Sequence, residues 1–136
     1  MKIGEALLER DHLSSRLDAL QARLSDDLQH GRPVTHIVGE IDQASNRILA
    51  LQDSIDWTMQ HLLVESVSLG SYLNKSEHYQ RVADLLENVS SPDLRERIDE
   101  LHEAKKSTNV LVQTIYWAYD LQIPGQEVST KPEEED

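Results

Sequence analysis

Two short stretches place a histidine one helical turn beyond a carboxylate, Glu9-x-x-His12 and Asp99-x-x-His102. When such pairs point into a bundle from facing helices, the spacing can hold a two-iron or two-manganese centre. The phase of the neighbouring apolar residues opposes that here. With Ala6, Leu13, Ile98 and Leu101 inward, Glu9 and His12 fall off the seam and His102 stands beside it. Ligands that do not converge do not bind, so these side chains are expected in solvent, with no metal and no cofactor. A di-iron-like bundle on Glu9, His12, Asp99 and His102 remains the rival reading. His61 and Glu65, four residues apart, read as a surface pair.

Arg10 occupies a seam position, where burial would strand its charge unless a facing carboxylate met it. It is therefore expected as a buried polar residue that sets register. Trp57, Tyr116, Trp117 and Tyr119 are the concentrated aromatics, and the last three cover several faces of one helix, so not all of them can be core. They are expected at an interface, where a ring buries area while its polar atom stays wet. Lys105 and Lys106 are too isolated to make an anion site. No catalytic motif or nucleotide loop stands out, and the chain reads as non-enzymatic.

Composition narrows the classes further. The chain of 136 residues has the length of one domain. The absence of Cys excludes disulfides and thiol chemistry. A net charge of −12 opposes binding to nucleic acid and to anionic membranes, both of which need clustered Lys and Arg. The N-terminal residues carry acids where a secretory signal would be apolar, and the longest apolar runs, Leu62-Leu63-Val64 and Val110-Leu111-Val112, are far too short to cross a bilayer. A soluble, cytoplasmic protein is expected.

These side chains must be positioned by helices. Ile37, Ile41, Ala44, Ile48, Leu51, Ile55 and Leu62 recur at alternating steps of four and three, a seam that fails only at Thr58. The pattern predicts a helix over 35–63. Ile3, Ala6, Leu13, Leu17, Leu20 and Leu24 predict another over 2–28, ended by Gly31 and Pro33. A loop is expected at 65–70, followed by a third helix over 71–87 with Tyr72 or Leu73, Tyr79, Val82, Ala83, Leu85 and Leu86 on its stripe. Ser91-Pro92-Asp93 then reads as a capped helix start. The fourth helix continues through Leu94, Ile98, Leu101, Ala104, Thr108, Leu111, Ile115 and Ala118 to about Gln122. The fold class is thus all-α, four long helices forming two antiparallel hairpins, 1–63 and 69–122, in a coiled-coil-like four-helix bundle. The domain spans 1–125. Residues 126–136, which carry −4 of the −12, form an acidic tail expected to be disordered.

The opening Met1-Lys2-Ile3-Gly4-Glu5-Ala6-Leu7-Leu8-Glu9-Arg10, with Leu13, resembles the start of the septicolysin-like family of small bacterial helical proteins. The closing Val112-Gln113-Thr114-Ile115-Tyr116-Trp117-Ala118-Tyr119-Asp120-Leu121 is similar to that family's final helix. Ile55-Asp56-Trp57-Thr58 and Ser68-Leu69 with Leu73 are shorter likenesses, and the chain departs from the pattern at Trp57, Met59 and Tyr116, where polar residues are expected. The resemblance implies an α-helical, oligomeric protein without an established activity. Its label hints at a cytolysin, yet a thiol-activated lysin needs Cys. The leading expectation is a bundle that acts through protein association, as a homo-oligomer or with another protein. The alternatives are the metal bundle and a membrane-active, cytolysin-like protein.

Overall fold

The computed structural model of the chain describes residues 1–125, and the expected acidic tail lies outside the described residues. Four helices dominate: α1 (Ile3–Gln29), α2 (Thr35–His61), α3 (Leu69–Glu87) and α4 (Arg95–Ala118). Helix α1 packs against α2 and α3 against α4, with much less contact between the pairs. The chain is an all-α four-helix bundle built from two antiparallel hairpins.

Local chemistry sets each boundary. The Lys2 N–H donates to the Glu5 carboxylate at 3.1 Å, holding the first turn of α1. Gly31 ends that helix in the left-handed region at φ 66°, while the Arg32 N–H returns to the Asp27 carbonyl at 2.9 Å. Ser68 caps α3 by accepting from the Ser71 N–H at 3.3 Å.

Three expectations need correction. The 65–70 segment is no open loop: Leu63–Val64 (β1) pairs antiparallel with Val67–Ser68 (β2) around the two-residue turn Glu65-Ser66. Both turn residues have positive φ, 53° and 66°, as a type I′ turn demands. The Ser91 side chain makes no cap hydrogen bond. Residues Pro92–Leu94 instead form a 3-10 turn, closed by the Leu94 N–H on the Ser91 carbonyl, before α4 begins. Finally, α4 stops at Ala118 because the chain then runs extended beside the N-terminus. The Ile3 N–H donates to the Tyr119 carbonyl at 3.2 Å and the Leu121 N–H to the Met1 carbonyl at 2.8 Å.

The shared core sits at the end where all four helices meet. Ile3, Leu62, Leu69, Tyr72, Val112, Ile115 and Tyr119 form one buried cluster, and Ala6, Leu51 and Ile55 a second beside it. Completely removing Leu62 or Leu69 from water stabilises this junction by roughly 1.5–3 kcal/mol each. Neither cluster reaches farther along α1 than Leu13 or farther back along α2 than Leu51. Beyond the junction each hairpin is an arm with its own two-helix seam. In the α3/α4 arm Ala83, Leu101 and Ile115 are buried as the stripe predicts, but Leu85 and Leu111 are exposed, and Ser76 and Val112, which stood off the stripe, are buried.

Candidate association surface

The single break in the α2 seam has a chemical purpose. Thr58 is fully buried, and its hydroxyl accepts from the Gln122 N–H at 2.9 Å while donating to the Ser54 carbonyl at 2.7 Å. An apolar residue there would strand a buried backbone donor. The residues after α4 are thereby clasped on both sides, by Thr58 and by the N-terminal residues. Lys2 adds an ion pair to Asp120 at 3.4 Å.

The aromatics surround this junction in different environments. Tyr119 belongs to the core, so the expectation that it serves an interface is corrected. Its ring faces inward because its backbone pairs with Ile3. Tyr116 is half-buried against the same cluster, and burial raises its phenol pKa against the opposing pull of Arg10. Trp117 is 49% exposed and lies over α1 at Gly4. A Cβ at Gly4 would stand 2.6 Å from the indole, so only glycine admits this approach. Trp57 stacks on His61, ring centroids 3.8 Å apart, with its indole nitrogen buried and without a hydrogen-bond partner among the described residues. His61 bonds the Trp57 carbonyl at 2.9 Å instead of reaching Glu65.

The α1/α2 arm has two unlike flanks. One is laced by ion pairs: Arg47 forks onto Glu9 at 2.9 and 3.2 Å, Arg16 meets Glu40 at 3.6 Å, and Arg32 meets Asp27 at 3.1 Å. The Arg47 hydrogen bonds hold the Glu9 carboxyl below its usual range. Under this lacing Leu20 and even Asp27 are buried. At roughly 100° per residue, Leu17, Ile41 and Ile48 face the other flank, and there they are only half-buried. Leu28, Val38 and Leu49, on the same side, are exposed at 60%, 42% and 62%.

Arg10 stands where that open flank meets the junction, and it is part-buried, not buried. The expected facing carboxylate is absent; Gln52 of α2 accepts at 3.1 Å and passes the bond to Asp56 at 2.8 Å, and Asp11 of α1 pairs with the guanidinium at 3.2 Å. A facing amide suffices because the guanidinium keeps contact with water.

The α3/α4 arm carries a polar ladder that the apolar periodicity did not signal. Ser76 donates to Asn109 at 2.6 Å, Lys105 to Gln80 at 2.6 Å, and His102 bonds Glu87 at 2.7 Å. The metal candidates are thus dispersed. Glu9 is bound to Arg47 and His12 is exposed in one arm, while Asp99 and His102 border an open groove at the Glu87-to-Arg95 end of the other. Among the described residues no three His, Asp or Glu side chains gather as a metal site, and no helix is long and apolar enough to cross a membrane. Comparisons of the chain with protein-family models, curated proteins and solved structures returned no match.

Proposed function

We propose that this chain is a non-enzymatic helical bundle that works by protein association, self-assembly included. The observation that carries the reading is the α1/α2 arm, which extends past the shared core with half-buried isoleucines and exposed leucines along one flank. Apolar side chains left in that arrangement favour a protein surface that completes their burial. Trp57, Tyr116 and Trp117 at the junction offer a second contact of the kind that anchors interfaces. The septicolysin-like likeness of the two chain ends, which implies an oligomeric bacterial helical protein, and the acidic surface, which suits solution in the cytoplasm, accord with it.

The rival metal bundle would need Glu9 to leave Arg47 and His102 to leave Glu87. Native mass spectrometry of freshly purified protein separates the readings. Masses at multiples of the 15.5 kDa chain, or of the chain with a second protein, are expected without stoichiometric metal. A monomer carrying iron, manganese or a retained small molecule would overturn the association reading. Leakage of lipid vesicles at micromolar protein would favour the membrane-active alternative.

A further inference from the structure

The two hairpins share a core at one end of the molecule, and the chain passes between them through a single two-residue turn. Each hairpin packs chiefly within itself, so it keeps its own seam when the shared core opens. What opening exposes is the face of Leu62 on one side and that of Leu69 and Ile115 on the other, all buried in the closed chain. The surface that covers each face is already on display, because the other hairpin provides it. A second copy carries the same surface. The turn weights the choice between them. Glu65 and Ser66 hold φ at 53° and 66°, where a Cβ crowds the backbone, and neither is the Asn or Gly that takes such positions at low cost. Opening the turn into one continuous strand over 63–68 removes that cost, and short links under strain favour exchange of segments between chains.

We propose that the chain pairs with a second copy by exchanging hairpins, α1/α2 of one docking on α3/α4 of the other, with residues 63–68 as a two-stranded hinge. The proposal rests on the association reading and names its partner and its contact. Register permits it. Within one chain Leu63 opposes Ser68 and Val64 opposes Val67. The same pairs form between two chains about a twofold axis, with Glu65 brought opposite Ser66, so the ladder lengthens and no like charges stand directly across from each other. The bonds that cross between hairpins are remade between copies: the Leu69 N–H on the Leu62 carbonyl, the Tyr72 hydroxyl on the Val64 carbonyl, and the Gln122 N–H on the Thr58 hydroxyl. No buried donor loses its acceptor. Two linked hairpins meet at an effective concentration in the millimolar range, so exchange competes where the chain is concentrated and its turn is strained.

The clasp supplies the test. Lys2 and Asp120 face each other in an antiparallel bridge, flanked by the Ile3-to-Tyr119 and Leu121-to-Met1 bonds, and the chain has no Cys of its own. Such a pair has the spacing of a disulfide. Chains carrying Lys2→Cys and chains carrying Asp120→Cys are mixed at about 1 mM, warmed to about 40 °C so that the hairpins open, diluted to about 10 μM and treated with oxidised glutathione. Exchanged dimers should yield a disulfide between unlike chains, seen on a non-reducing gel well above the level of either chain alone. The wild-type chain, which keeps the ion pair, should give the same dimer by size-exclusion chromatography after equal treatment. Glu65→Asn with Ser66→Gly, which relaxes the turn, should lower the dimer yield at least about tenfold, since every dimer opens two turns. A wild-type chain still monomeric after warming at about 1 mM would overturn the proposal. So would a dimer that the relaxed turn does not diminish. A wild-type dimer whose mixed thiols fail to join would overturn hairpin exchange and leave the association reading standing.

Discussion

Thr58 shows how one hydroxyl can fix the path of a distant segment. Substituting valine keeps the shape but leaves the Gln122 N–H buried without an acceptor, so Thr58→Val should cost about 1–3 kcal/mol in urea unfolding, and Thr58→Ser much less. Gly4 is the steric counterpart. Gly4→Ala drives a methyl into the Trp117 indole, and the expected outcome is a displaced, more solvated ring, read as a red shift in tryptophan emission together with a lower melting temperature. The Glu9–Arg47 fork sets a pH signature. Because the folded state lowers the Glu9 pKa, its contribution is present above the unfolded value, about 4.5, and fades as pH falls through the folded one. Glu9→Gln should therefore shrink the difference between urea midpoints at neutral and acid pH, chiefly by lowering the neutral value. Both side chains are substantially exposed, which keeps the effect small.

At the scale of elements, the link between α2 and α3 carries avoidable strain. Glu65 and Ser66 occupy the two left-handed positions of a turn that favours Asn-Gly. Glu65→Asn with Ser66→Gly should raise stability by about 1 kcal/mol, measured by thermal unfolding, and should leave the Tyr72 hydroxyl on the Val64 carbonyl in place. That mismatch also explains what the sequence did and did not reveal. The four helices were legible to within a few residues because a 3.5-residue apolar period is a local signal, and Gly31 and Pro33 mark their own turn. The β-hairpin was not, since Glu65-Ser66 lacks the residues that usually announce it. Neither was the extended 119–122 segment, whose partners Met1, Ile3 and Thr58 are remote in sequence. The break at Thr58 was visible, but its purpose required knowing what lay opposite. Ser76, Lys105 and Asn109 were missed for a related reason: polar side chains paired with each other across a hairpin leave no trace in apolar spacing.

For the whole molecule, the concentration of shared core at one end predicts uneven protection. Amide hydrogen exchange should be slowest around Leu62, Leu69 and Ile115, and fastest at the far ends of both arms. The clasp between Met1–Ile3 and Tyr119–Leu121 has a temporal meaning as well. On the ribosome, α1 and α2 can zip together as soon as both have emerged, yet Ile3 must wait for the residues after α4 before its surroundings are finished. A chain made vectorially therefore leaves Ile3 without its partners until residues 119–121 are synthesised, and a nascent chain stalled within α4 would expose Ile3, Leu62 and Leu69 to whatever chaperone stands nearest.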